Sequence, residues 1–349
     1  MPPLFDGHND LLSRLVAGKC RQSDILHGYS DGHVDLPRAQ KGGFGGGFFA
    51  IFTEDPEEEV ANVLTAMQNP PYHLPMPSPL PHRESLPQAM QQLEEFQNLA
   101  RAGVITLCTN SEDLETYLFA PDTLAAVLHI EGIEAIDRDF RSLEVFYQAG
   151  LRSLSLTWSR DNDFASGAPF AFPSSPDHGE GLSDLGIALV KACDQMGIML
   201  DVAHLNEKGF DDLARYSTNP IVATHSNAHA LTPHARNLTN RQLDIIRDSD
   251  GLIGVNFATA MLRPDGKMSP ETDFTPLLAH LEYLLEYVGE NRVAFGSDFD
   301  GATIPNVIKD CAGVEDLRQK LKAEGYNEEL LAKIFYQNWT RILRQVWGG

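Results

Sequence analysis

The chain has 349 residues, 42% of them hydrophobic and 22% charged, the balance of a globular protein with ample core. Its 49 acidic against 27 basic residues give a formal net charge of -22, a field that repels nucleic acid and anionic membranes and excludes both as expected partners. Four scattered cysteines, Cys20, Cys108, Cys193 and Cys311, form no CxxC pair and exclude a disulfide scaffold.

No basic region followed by an apolar run opens the chain, no stretch of about 18 apolar residues follows, and the last residues carry no lipidation box. A cytoplasmic protein is expected. Short apolar, β-branched or aromatic segments predict strands in the order "LFDGH" (4–8), "GFFAIF" (47–52), "AVLHIEG" (126–132) and "LRSLSLTW" (151–158). They continue as "IMLDVAH" (198–204), "PIVATHS" (220–226), "LIGVNF" (252–257) and "RVAFGSDF" (292–299). Helical patterns separate most of them, at 183–196, 207–216, 239–248 and 275–288.

Near-continuous apolar strands alternating with amphipathic helices predict a parallel sheet covered by helices. Eight of them predict an α/β fold, a (β/α)8 TIM-type barrel with loop insertions and a C-terminal helical extension, as one domain over residues 1–349. A doubly wound open sheet is the alternative, although no GxGxxG follows any strand. "GVITLC" (103–108) is a ninth strand candidate, assigned to an insertion or the barrel edge. "GGFGGGFF" (42–49) leads into a strand, the wrong order for a phosphate cradle, and marks close packing. Residues 69–88, "NPPYHLPMPSPLPHRESLPQ", are too rich in proline for helix or central strand and read as a surface excursion. The run Glu57–Glu59 reads as a solvated helix face.

The predicted strands end in metal-ligand residue types. The first ends with His8 and Asp10, the third with Glu131, the fifth with His204, the sixth with His225 and the eighth with Asp298. Strand positions two apart share a side, so His8 and Asp10 would face the barrel axis together. All would converge on the C-terminal face, where such barrels place their active sites. Three imidazoles and several carboxylates there could hold two divalent ions bridged by a carboxylate; zinc suits imidazole, and manganese, cobalt or iron are also admitted. A lone histidine at a strand end is usually a satisfied polar residue, so the argument rests on the set. His129 reads as a group of the barrel interior, and His229 and His234 as pocket candidates. His27, His33, His73, His82 and His178 read as solvated, and Cys193 as core. No GxSxG elbow supports a serine nucleophile.

In order along the chain, "FDGHND", "LHIEG", "LDVAHLN", "IVATHSNAHALTPHARN" and "FGSDFDG" resemble the motif series of the membrane (renal) dipeptidase family of the amidohydrolase superfamily, in a bacterial-type soluble form. The resemblance runs from residue 5 to about residue 301 and implies a dipeptide substrate, two Zn2+ per chain and a homodimer. It places one zinc on His8, Asp10 and Glu131, and the second on Glu131, His204 and His225. It makes Asp298 the catalytic aspartate and Arg236 the grip on the substrate's terminal carboxylate. Asn256, His229 and Trp158 complete the expected substrate contacts. Some members of the family accept a D-residue at the C-terminal position, and some open β-lactams. Two residues depart from its pattern: Trp158 stands where a histidine is usual, and Ala258 where relatives offer a tyrosine. Both lie in the substrate shell. They leave open another metallohydrolase acting on N-acyl amino acids or lactams. An inactive metal-binding homologue is the third reading, against which Asp298 weighs.

Overall fold

Alternation of side chains along each strand sorts the apolar residues into an inner and an outer core. The computed structural model describes residues 2–53 and 64–348. The run Glu57–Glu59 lies outside the described residues. Its strands are β1 (Leu4–Asn9), β2 (Phe44–Phe52), β3 (Tyr72–His73), β4 (Ile105–Leu107), β5 (Leu124–Glu131) and β6 (Leu151–Ser155). They continue as β7 (Ala171–Phe172), β8 (Met199–Asp201), β9 (Val222–Ala223), β10 (Leu252–Val255) and β11 (Val293–Phe295).

Eight of these form one sheet in the order β1-β2-β5-β6-β8-β9-β10-β11, every neighbouring pair parallel. The ends meet through a parallel bridge between Asn9 and Phe299. There the Asp10 N–H donates to the Phe299 carbonyl (2.8 Å) and the Asp298 N–H to that of His8 (3.1 Å). The result is a nearly closed eight-strand barrel surrounded by helices, of the TIM type, with a helical C-terminal extension. The ninth candidate, β4, pairs with Leu124–Ala126 of β5, while β6 pairs with β5 from Leu128 onward. It is an edge strand at the lower rim. The glycines of β2 mark close packing: a Cβ on Gly46 would come within 2.0 Å of the Ala125 carbonyl.

The helices Asp184–Met196, Glu207–Tyr216, Asn240–Asp248 and Phe274–Val288 lie where the apolar periodicity places them. Ser183, Asn206 and Thr239 cap the first three by accepting a backbone N–H three residues on. The proline-rich excursion is corrected at its end, because a helix spans His82–Arg101 and takes in Pro87. Proline so near the start removes only one bond from a long helix. The earlier part of the excursion contributes Tyr72–His73, which pair antiparallel with β7. The four cysteines are buried and free. No described helix is long and apolar enough to cross a membrane.

Leu128, Ile130, Leu154, Leu200, Ile253 and Phe295 pack outward into the main core under the helices. Phe5, Phe48, Val127, Met199, Val222, Leu252 and Ala294 form a second core, joined by Trp339, Ile342 and Leu343 of the C-terminal helix Asn338–Trp347. The Trp339 indole packs tilted against Phe5 and edge-on against Phe48 and donates from Nε1 to the Phe295 carbonyl (3.0 Å), closing the lower end of the barrel.

Candidate active site

Two residues above this apolar layer the inward positions become polar. His8 in β1 and Asp10, one residue past its end rather than in the strand as expected, place Nε2 and Oδ2 3.3 Å apart. Glu131, the last residue of β5, faces His8 Nε2 with Oε2 (3.6 Å). Its other oxygen, Oε1, lies 3.2 Å from His204 Nε2 and 3.4 Å from His225 Nε2, and those two nitrogens are 3.1 Å apart. One carboxylate therefore faces two donor sets. Around one cation with bonds of about 2.0–2.1 Å in tetrahedral array, donor atoms sit roughly 3.3 Å from each other, so the spacing suits a common ion.

Hydrogen bonding supports the same fit. Among the described residues, His8 Nδ1 and Nε2, Asp10 Oδ1 and Glu131 Oε1 are buried without a hydrogen-bond partner, whereas buried polar atoms are almost always paired. The other nitrogens of two rings are held, His204 Nδ1 by Ser159 Oγ (2.9 Å) and His225 Nδ1 by Thr224 Oγ1 (2.8 Å), which leaves both Nε2 atoms facing Glu131. The donor set of imidazole nitrogens and carboxylate oxygens fits zinc and the other divalent ions named above.

Electrostatically the site attracts positive charge. Burial pushes the Glu131 carboxyl up to about 8 and raises Asp298 as well. Burial opposes a charge on His8, but Glu131 and Asp10 outweigh it and lift the imidazole to about 10. Burial, aided by nearby cations, holds His204 and His225 neutral.

His204, His225 and Asp298 are placed differently from expectation, since β8, β9 and β11 end at Asp201, Ala223 and Phe295 and the side chains lie just beyond. His204 (φ 67°) and Asp298 (φ 62°) are left-handed, a conformation no strand residue adopts and one whose strain in non-glycine residues gathers at functional sites. Asp298 Oδ2 accepts from Asn256 Nδ2 (3.0 Å). Gly301 closes over the pair: a Cβ there would lie 2.1 Å from Asp10 Oδ2 and 2.6 Å from Asp298 Oδ1.

Arg236 is buried beside these carboxylates, and its Nε and Nη2 have no partner among the described residues. Burial lowers its guanidinium to about 10, against the pull of Glu131 and Asp298. A buried, unpaired guanidinium is a receptor for a carboxylate. Trp158 is half-buried and stacks on the His204 ring, 5.9 Å between centroids, with Phe52 and Phe170 on either side. His229 Nε2 donates to the Ser174 carbonyl (2.7 Å), tying down the loop above. His234 Nδ1 accepts from the Arg236 N–H (3.0 Å) and braces that residue's backbone. Ala258 is buried and donates its N–H to Asn256 Oδ1 (2.6 Å).

His129 lies inside the barrel as expected, between Ser153 Oγ (2.9 Å) and Ser155 Oγ (3.1 Å). His33 corrects a solvated reading: its N–H donates to Asp300 Oδ1 (2.7 Å) and its Nδ1 accepts from the Asp300 N–H (2.8 Å). Sequence reasoning missed Ser153, Ser155, Asp201 and Thr224, which line the barrel beneath the histidines. Their signal was present, as small polar or acidic residues at every second position of apolar strands. His280 carries no motif and was missed altogether.

The sequence model of the family described as Membrane dipeptidase (Peptidase family M19) matches residues 1–347. A metallopeptidase from Rhodobacter sphaeroides, solved with a phosphinate mimic of the dipeptide L-Ala-D-Ala, is 45% identical, with a TM-score of 0.96 and 99% of each chain covered. Dipeptidase AC, an M19 metallopeptidase, is 46% identical at a TM-score of 0.96, covering 100% of this chain and 99% of its own. An uncharacterized protein in the pqqA 5' region of Klebsiella pneumoniae is 46% identical over 246 residues, which is 70% of this chain and 90% of that one.

Proposed function

Because the chain belongs to the membrane dipeptidase family, peptidase family M19, and is a metal-dependent dipeptidase of that family, we propose that it hydrolyses dipeptides with a free C-terminal carboxylate, including L-Xaa-D-Xaa, and uses two zinc ions. What carries this reading is the Glu131 carboxylate between two donor sets with the unpaired Arg236 guanidinium nearby. His8, Asp10 and Glu131 would hold one ion, and Glu131, His204 and His225 the other. When bound, the ions supply Lewis acidity that polarises the scissile carbonyl and acidifies water.

The chain's own residues do the rest. Arg236 holds the substrate carboxylate with its two unpaired N–H groups, which fixes the distance to the scissile bond and favours a two-residue substrate. Asn256 occupies one oxygen of Asp298 and leaves the other for proton transfer. That oxygen takes a proton from the attacking water and delivers it to the leaving nitrogen, so water and amide become a carboxylic acid and an amine. Trp158, Phe52 and Phe170 line one wall and limit water beside His204. That the R. sphaeroides relative was solved with a phosphinate mimic of L-Ala-D-Ala supports the inclusion of L-D dipeptides among the substrates.

A panel of L-L and L-D dipeptides, each free and C-terminally amidated, tests the proposal on zinc-loaded protein. Cleavage confined to free-carboxylate substrates is expected, with L-D pairs among those cleaved. No cleavage by protein holding two metals would overturn it in favour of N-acyl amino acids or lactams.

A further inference from the structure

Beneath the site lies a buried carboxylate that none of these roles uses. Asp201 is the last residue of β8, with no exposed surface. Four groups donate to it. Its Oδ1 accepts from the backbone N–H of Ala203 (2.9 Å) and of Thr224 (2.8 Å), and its Oδ2 from the hydroxyls of Ser155 and Thr224 (both 2.7 Å).

Proton counting then propagates in two directions. A hydroxyl owns a single proton. Thr224 has committed its proton to Asp201, so toward His225 Nδ1, 2.8 Å away, its oxygen can only accept. His225 Nδ1 must therefore carry hydrogen, and in the neutral ring Nε2 keeps its lone pair. On the other branch Ser155 has also committed its proton, so it accepts from His129 Nε2 at 3.1 Å. His129 Nδ1 is then the acceptor for Ser153 Oγ at 2.9 Å.

We propose that Asp201 is a positioning residue that sets the tautomers of His225 and His129 from below, through the Thr224 and Ser155 hydroxyls. It thereby turns the His225 lone pair toward Glu131 and the site above. The metal-binding consequence rests on the functional reading given above; the tautomer of His129 does not.

Asp201→Asn inverts the polarity of both branches without changing shape. The amide oxygen keeps the two backbone donors, and the amide nitrogen donates where Oδ2 accepted. Both hydroxyls are then free to donate, which moves the His129 proton to Nδ1 and the His225 proton to Nε2. The experiment is 15N NMR of histidine-labelled zinc-loaded protein, together with zinc retention against a competing chelator. Wild type should show His129 protonated at Nε2. In D201N this ring should switch, and one zinc should bind roughly 10- to 100-fold more weakly, the usual cost of losing an outer hydrogen-bond partner of a ligand. Thr224→Val should weaken zinc similarly while leaving the His129 tautomer unchanged, and Thr224→Ser should restore wild-type retention. A His129 ring that keeps its Nε2 proton in D201N overturns the relay, as does undiminished zinc retention in Thr224→Val. The His129 readout needs no metal, so it decides the relay even if the zinc assignment itself fails.

Discussion

The lower and upper halves of the barrel interior come from the same strands, a few residues apart. Below, Phe5, Val127, Met199, Val222 and Ala294 meet the Trp339 plug in an apolar layer. Above, the same strands continue into His8, Glu131, Asp201, Thr224 and Asp298, where the buried side chains are polar or ionisable. The lower layer gains by excluding water, about 25 cal/mol per Å2 of apolar surface. The upper layer must instead hold ionisable groups in place, at the cost of desolvation. Stability and chemistry are thus separated along the barrel axis by one or two turns of the pleat.

Substitutions can break or sharpen that separation. Asp298→Asn belongs wholly to the upper half, and it should cut kcat by about a hundred- to ten-thousandfold with metal content and melting temperature unchanged. Turnover near wild type in steady-state assays would remove Asp298 from its role. Trp339→Ala belongs to the lower half and should destabilise by about 3–5 kcal/mol in urea unfolding, with metal stoichiometry intact. Loss of metal at native temperature in that variant would show that the halves are coupled.

Acid should act on a third element, the loop above β9, which His280 props from outside the barrel. His280 Nδ1 accepts from the Ala228 N–H (3.1 Å) and Nε2 donates to the Leu262 carbonyl (3.1 Å), an arrangement only the neutral ring can make. Burial lowers its pKa from an ordinary 6.5 to about 4. The unfolded chain therefore binds more protons between those values, and the contribution, full at pH 7, is lost as pH falls from about 6.5 to about 4. That loss is roughly 3 kcal/mol. His280→Gln, which keeps one donor and one acceptor, should flatten the urea midpoint over that window; an unchanged slope would assign the acid sensitivity elsewhere. The smallest effect is expected for Arg236→Ala. It should raise KM for free-carboxylate dipeptides roughly a hundredfold while barely altering amidated ones. Equal loss on both would argue against a carboxylate contact.

Much of the architecture was legible in the chain. Apolar strands and amphipathic helices announce themselves by periodicity, and the four helices Asp184–Met196, Glu207–Tyr216, Asn240–Asp248 and Phe274–Val288 begin and end within a residue of the pattern. The barrel's parallel order follows, because helices on every connection leave few other solutions. His8 and Glu131 stand at strand ends as expected and Asp10 just past one, while Arg236 was singled out only through its motif. The proline at 87 misled, because one missing bond near a helix start weighs little once the face from Ala89 to Leu99 is buried.

What the sequence determined by itself was local: which segments are strands and helices, and which polar side chains stand at their ends. These depend on backbone propensity and on the period of burial, which neighbouring residues carry. Only the tertiary structure decided that Glu131 would face two donor sets, that Trp339 would close the barrel against Phe5 and Phe48 from the far end of the chain, and that Asp201 would govern His225 through a hydroxyl. Those outcomes depend on ångström-scale distances between strands that meet only when the barrel closes, and no local pattern encodes them.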